Sequence, residues 1–365
     1  MSTATTPEPK DSSNATCLVT EEAFGTLKDG RKASLFTLQN SNGMTAKVSN
    51  FGALLIGVFV PDKDGRVQDI THGFDDIAGW EENGPYFGAT VGRFGNRIAN
   101  GKFTLEGTEY NLATNNEPGG IPCHLHGGLV GFSHQLWEGK AIPNGVELTY
   151  LSKDGEEGYP GDLRVTVSYT LNDNNELTWQ ATATTTKATP INIIHHSYWN
   201  LSGDPTTSID NHLLTLNADH YLPTNVGMIP TGKKETIAGT PMDFRTATEI
   251  GSRITTDYEP LKIGNGYDHA WLINGEGLRL AATATDPVTG RTLELFTDQP
   301  AVQFYSANYL KGGQPGKGGV EYEDRSAFCL ESEAFPDGPN NSTSPKCILQ
   351  PGENYLHTMV HKFSW

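Results

Sequence analysis

"LRVTVSYTLNDNNELTWQATATTT", residues 163–186, alternates apolar and polar residues on both sides of "NDNN". Period two is the signature of a half-buried strand, because successive side chains leave the pleated backbone on opposite faces. Turn-forming residues between two such runs predict a hairpin, with Val165, Val167 and Tyr169 on one face. The pattern extends outward. "MTAKVSNFGALLIGVFVPDKDGR" predicts two strands broken at Asn50, Phe51 and Gly52. "RTLELFTDQPAVQFYSANYL" predicts two more around Asp298, Gln299 and Pro300, and "KCILQPGENYLHTMVHKFSW" a closing pair. No segment carries a long 3.6-residue apolar period, and short helical turns are expected only near Asp75–Trp80 and Thr246–Ile254. The expected fold is all-β: one large antiparallel β-sandwich domain over residues 21–365, after a flexible Ser/Thr/Pro/Lys-rich tail over residues 1–20.

Composition narrows the partners. A formal net charge of −17 repels phosphate backbones and anionic lipid, which argues against nucleic acid and membrane surfaces as partners. No stretch approaches the roughly 20 apolar residues of a membrane span, and the first residues have no apolar core of a secretory signal. Four cysteines (Cys17, Cys123, Cys329 and Cys347), none in a C-x-x-C pair, do not make a disulfide framework in so long a chain. A reduced, cytoplasmic protein is expected, and a monomer.

Several clusters could carry chemistry. "IIHHSYWNLSG", residues 193–203, sets His195 beside His196. In a strand these rings point to opposite faces and cannot share a metal, so at most one reaches a given site. "CHLHGG" places His124 and His126 two apart, the spacing of a metal pair on one strand face, but no carboxylate follows where a cupin-type site needs one. In "FCLESEAFPDG", Glu331 and Glu333 lie one strand step apart, about 6.6 Å between Cα atoms, near the carboxylate spacing of inverting glycosidases. Arg97 in "GNRIANGKF", and Asp268 and His269 in "NGYDHAWL", sit among Gly and aromatic residues of the kind that hold sugar hydroxyls and C–H faces.

Taken in order, "GRFGNRIANGKF", "LHGG", "HHSYWNLSG", "LPTNVGMIPTG", "GTPMDFR", "GYDHAWL", "QPAVQFYSANYL", "FCLESEAFPD" and "LQPGENYLHTMVHKFSW" resemble the aldose 1-epimerase (galactose mutarotase) family, from about residue 24 to the end. The resemblance implies a supersandwich fold and interconversion of the α and β anomers of a free aldohexose, with no metal, nucleotide or redox cofactor. A base takes the proton of the anomeric hydroxyl, an acid protonates the ring oxygen, and the opened chain recloses on the other face. Such chemistry needs two groups of opposite protonation state either side of the pyranose. By resemblance Glu331 is the general base and His196 the general acid. Asn96, Arg97, His126, Asp268 and Gln303 match sugar-contacting positions, and His195 is left with a structural or supporting place. The family's "LETQ" is "LESE" here, so Glu333 adds a carboxyl beside the base and, if it faces the site, should raise the proton affinity of Glu331. The family's "GFD" after "LHGG" is "GFS", at Ser133. Three alternatives stay open: a glycoside hydrolase using Glu331 and Glu333, a hexose-6-phosphate 1-epimerase, and a sugar-binding protein with weak turnover.

Overall fold

The computed structural model describes residues 17–365. It is built from antiparallel sheets. The largest has nine strands, running from Glu138–Ile142 through Gly145–Ser152, Leu163–Leu171, Glu176–Thr185, Tyr355–Ser364, Thr292–Thr297, Arg279–Thr285 and Leu213–Leu216 to Thr248–Glu249. A six-stranded sheet orders Tyr198–Trp199, Phe328–Glu333, Ala301–Tyr305, Asp268–Ile273, Ala218–Leu222 and Glu235–Thr236. A five-stranded meander runs from Leu18–Thr26 to Val67–Asp69. One continuous apolar core draws residues from all three: Val165, Val167, Tyr169 and Trp179 from the first, Trp271, Phe304 and Leu330 from the second, Phe36, Val48 and Val58 from the third. No helix of the described residues is long and apolar enough to cross a membrane.

The hairpin pairs as its alternation requires, with Val167 opposite Ala181 and Leu171 opposite Leu177. Three expectations change. Most of the expected tail lies outside the described residues, but Leu18, Val19 and Thr20 already pair with Gln39, Leu38 and Thr37, so order begins before residue 21. The closing segments are both strands yet do not pair with each other: Ile348–Leu349 joins Thr189–Pro190, and Tyr355–Ser364 lies between Glu176–Thr185 and Thr292–Thr297. Helix occurs at Ile77–Glu81, started by the Asp76 side chain accepting from Gly79 N, while Thr246–Ile254 holds the short strand Thr248–Glu249 and a 3-10 turn at Ile250–Ser252. A further helix, Glu259–Gly264, follows a Tyr–Glu–Pro start that period counting passes over.

Two buried polar groups hold the scaffold of the site. The Arg93 guanidinium donates to the carbonyls of Ser152, Pro160 and Gly161 and to the hydroxyls of Ser152 and Thr189. Hydrogen bonds from a charged donor are each worth about 1.5–3 kcal/mol, so they anchor the loop that goes on to Asn96 and Arg97. Deeper, His195, His357 and His361 cluster beside Trp179, whose ring centroid is 5.7 Å from His195 and 4.9 Å from His357. His195 and His361 are 5.2 Å apart. Burial pushes His357 and His361 from 6.5 down to about 4, and His195 well below 6.5.

These rings are neutral in the folded chain and take up protons below about 6.5 in the unfolded one. Stability is therefore present above 6.5 and is lost as pH falls toward about 4. We expect the melting temperature to drop across that window in calorimetry, and His361→Leu to flatten the drop. An unchanged pH slope in His361→Leu would contradict this account of the core.

Candidate active site

Alternation along Phe328–Glu333 sends Phe328 and Leu330 into the core and leaves Cys329, Glu331 and Glu333 on the other face. Register then assembles the floor of a site. Gln303 stands opposite both Glu331 and Ala270, while Tyr305 stands opposite both Cys329 and Asp268. Gln303 Nε2 donates to Asp268 Oδ1 at 2.6 Å.

The wall comes from Ile194–His196, which pairs with Ala89–Val91. His196 Nε2 lies 3.3 Å from Glu331 Oε2, and its Nδ1 lies 3.8 Å from Cys329 Sγ. The Tyr86 and Tyr198 rings stack on it at 6.2 and 5.1 Å. His195 leaves the opposite face for Tyr169, Trp179 and His361, so its place is structural. The adjacent histidines thus serve two separate environments, as strand alternation requires.

His126 arrives from a turn. The strand Cys123–Leu125 pairs with Arg97–Ala99, and His126 then adopts a left-handed φ of 52°. Gly127 follows at φ 87°, where a Cβ would lie 1.7 Å from the Gly92 carbonyl oxygen. Only glycine permits that approach, and it brings the ring of His126 to 5.1 Å from His196. The two-apart spacing does not bring His124 and His126 together. His124 stays behind in the strand, bonded to Ala113 O and the Tyr159 hydroxyl, because the left-handed turn takes His126 off its face.

Asn96, Arg97, His126, His196, Asp268, Gln303 and Glu331 all line one cavity of about 720 Å³. Glu333 does not line it; its carboxyl is fully buried behind the loop, 3.2 Å from Asn96 Nδ2. The cavity also holds Tyr86, Asn116, Tyr198, Met228, Tyr305 and Tyr309, none of them singled out from the sequence. Period two could have found two of these, since Tyr198 follows His196 and Tyr305 follows Gln303 by two residues on the same face. Nothing local marks Tyr86, which lies in the turn-like stretch Gly84, Pro85, Tyr86, Phe87, Gly88.

Desolvation governs the electrostatics. Burial, and then the charge of Asp268, push Glu331 well above the usual carboxylate range, with Arg97 opposing. Burial pushes His196 down to about 4. Both groups favour their neutral forms, so the pair carries one proton between them rather than standing as a fixed ion pair. The coupling of Glu333 with Glu331 is mutual, and burial first, then Glu331, push Glu333 well above the usual carboxylate range as well.

His126, His196 and Glu331 offer atoms within 4.8 Å of one another, close enough to be considered as metal ligands. The hydrogen bonding favours a different use. The backbone N–H of Asn96 donates to His126 Nδ1 at 3.1 Å, so that nitrogen is unprotonated and Nε2 of the neutral ring carries the hydrogen. An N–H is a donor to a hydroxyl or ring oxygen, not a metal ligand. The arrangement can therefore bind a polyol with Arg97, His126, Asp268 and Gln303 and exchange a proton at its edge.

The family model for aldose 1-epimerase matches residues 34–362. The chain is 41% identical to the human galactose mutarotase over 95% of its own length and 98% of that protein. It is 37% identical to the Escherichia coli aldose 1-epimerase, over 92% and 96%. The solved structure of galactose 1-epimerase from Lactobacillus acidophilus superposes with a TM-score of 0.82 at 28% identity, covering 95% of this chain and 98% of that one. Family match, near full-length similarity and overall fold agree, and the chain belongs to the aldose 1-epimerase family, isomerases that exchange the anomers of hexoses.

Proposed function

We propose that Glu331 and His196 carry out this exchange as general base and general acid, on free sugars such as D-galactose and D-glucose. The observation that carries the reading is the 3.3 Å approach of His196 Nε2 to Glu331 Oε2 inside the cavity of Arg97, Asp268 and Gln303. Two groups so close cannot stand on opposite faces of a pyranose. They suit the anomeric hydroxyl and the ring oxygen, which are bonded to the same carbon.

The proton count of the pair does not change through a cycle. With the ring closed, the reactive form is carboxylate beside imidazolium. Glu331 takes the proton of the anomeric hydroxyl while His196 gives one to the ring oxygen, the C1–ring-oxygen bond breaks, and the open aldehyde lies beside a neutral pair. Rotation about C1–C2 presents the other carbonyl face. Return of both protons closes the ring as the second anomer. Burial, which favours the neutral pair, draws ring opening forward. Arg97, His126, Asp268 and Gln303 hold the remaining hydroxyls, and Tyr86, Tyr198 and Tyr305 offer ring faces to C–H surfaces.

The alternatives fit less well. A hydrolase using Glu331 and Glu333 needs both carboxyls on the sugar, and Glu333 is outside the cavity. A phosphorylated hexose needs clustered cations, and among the described residues lining the cavity Arg97 is the only Lys or Arg, with Asp268 and Glu331 beside it. All four cysteines are free thiols, which suits the reducing cytoplasm.

Polarimetry on freshly dissolved α-D-galactose and α-D-glucose, above the uncatalysed background, tests the roles. Glu331→Gln and His196→Asn should each lose about 10²–10⁴-fold in kcat with the melting temperature little changed; a wild-type rate in Glu331→Gln overturns the assignment. The pH profile is a second check. Below about pH 4 a second proton settles on the pair and no base remains, so kcat/KM should rise with pH through that value and fall again once the shared proton leaves. A flat acid limb would rule out a buried one-proton pair.

A further inference from the structure

We propose that Glu333 is a positioning residue for the anomer exchange: it holds Asn96, and through Asn96 it sets the hydrogen-bonding form of His126 and the approach of Arg97. The inference deepens the acid–base reading above and rests on it.

Glu333 is fully buried, on the same face as Glu331 and one strand step beyond it. Its Oε1 accepts from Asn96 Nδ2 at 3.2 Å. Asn96 is itself held in a left-handed conformation, φ 60°, which a non-glycine residue keeps only when its surroundings fix it. From there Asn96 makes two bonds toward the cavity. Its backbone N–H donates to His126 Nδ1 at 3.1 Å, and its Oδ1 accepts from Arg97 N at 2.9 Å. His126 N in turn donates to Asn96 O at 3.1 Å, so the two left-handed corners are bound to each other in both directions. One carboxyl thus anchors the corner from which a donor and a cation both enter the cavity.

The acid suits this place because it is uncharged there. Burial, and then Glu331, hold Glu333 well above the usual carboxylate range, while Asn96 and Asn192 oppose. Its Oε2 meets no hydrogen-bond partner among the described residues. A neutral carboxyl can hold Asn96 without adding a negative charge beside the base.

The experiment uses Glu333→Met, close in shape and apolar, which leaves Asn96 Nδ2 without its acceptor, and Glu333→Gln, which keeps one. Glu333→Met should cut kcat/KM for galactose by about 10–100-fold, and Glu333→Gln should restore most of it. Asn96→Ala should cost a similar factor, and the double variant Glu333→Met/Asn96→Ala should be no worse than Asn96→Ala alone. ¹⁵N spectroscopy of His126, read without turnover, should show the Nε2–H form in wild type and in Glu333→Gln and a mixture of forms in Glu333→Met. Multiplicative losses in the double variant, or an unchanged His126 signature in folded Glu333→Met, overturn the proposal. Should the acid–base reading itself fail, Glu331→Gln keeps its rate while the His126 signature still responds to residue 333. If Glu333→Met does not fold, the signature and kcat/KM of Asn96→Ala decide: no change in either overturns the proposal.

Discussion

A carboxyl and an imidazole, almost entirely withdrawn from water, lie 3.3 Å apart at the bottom of the cavity. Desolvation disfavours the charged form of each, and proximity makes their protons a common property. A pair of this kind can give and take protons at the two oxygens of one carbon without a net change of charge. Exchange of anomers asks for no more, since the substrate enters and leaves uncharged. The surroundings have to keep the pair dry, close and oriented, and most of the tertiary structure near the site serves those three ends.

Orientation comes from the sheet rather than from loops. The strand Phe328–Glu333 is buried on both faces. Phe328 and Leu330 join the apolar core, and Ser332 is tied to His357 and Thr297. Of the alternate residues, Cys329 and Glu331 face His196 and Glu333 faces Asn96. Moving Glu331 would require shifting the strand by two residues against Ala301–Tyr305, which would break the core packing at the same time. Side chains on rigid elements are placed with the precision that proton transfer between close atoms needs.

Buried polar groups elsewhere in the fold are kept tolerable by neutrality or by several hydrogen bonds. Arg93 meets carbonyl and hydroxyl oxygens at each of its terminal nitrogens. The histidines beside Trp179 remain uncharged in a dry core. Glu333 is neutral behind Asn96. The site therefore carries little fixed charge beyond Arg97 and Asp268, and an uncharged polyol is the ligand such an environment accepts with least desolvation cost.

Period-two alternation made the strands legible in the sequence, and ordered motifs made the family legible. Alternation alone also separates His195 from His196, because the opposite facing of neighbours in a strand is a local property of the backbone. The seven residues expected at the site do meet in one cavity. What local sequence could not decide was which strands are neighbours. Tyr86 reaches His196 from a loop more than a hundred residues away in the chain, and Ile348–Leu349 leaves Tyr355–Ser364 for another sheet. Nor does spacing place Glu333 behind Asn96, or show that His126 departs from the face of His124 through a left-handed turn. The protonation of Glu331 and His196 was equally out of reach: two opposite charges were expected, but burial by distant strands favours one shared proton. Facing is set by the covalent chain one residue at a time, whereas dryness, register and proton affinity depend on which surfaces fold against it.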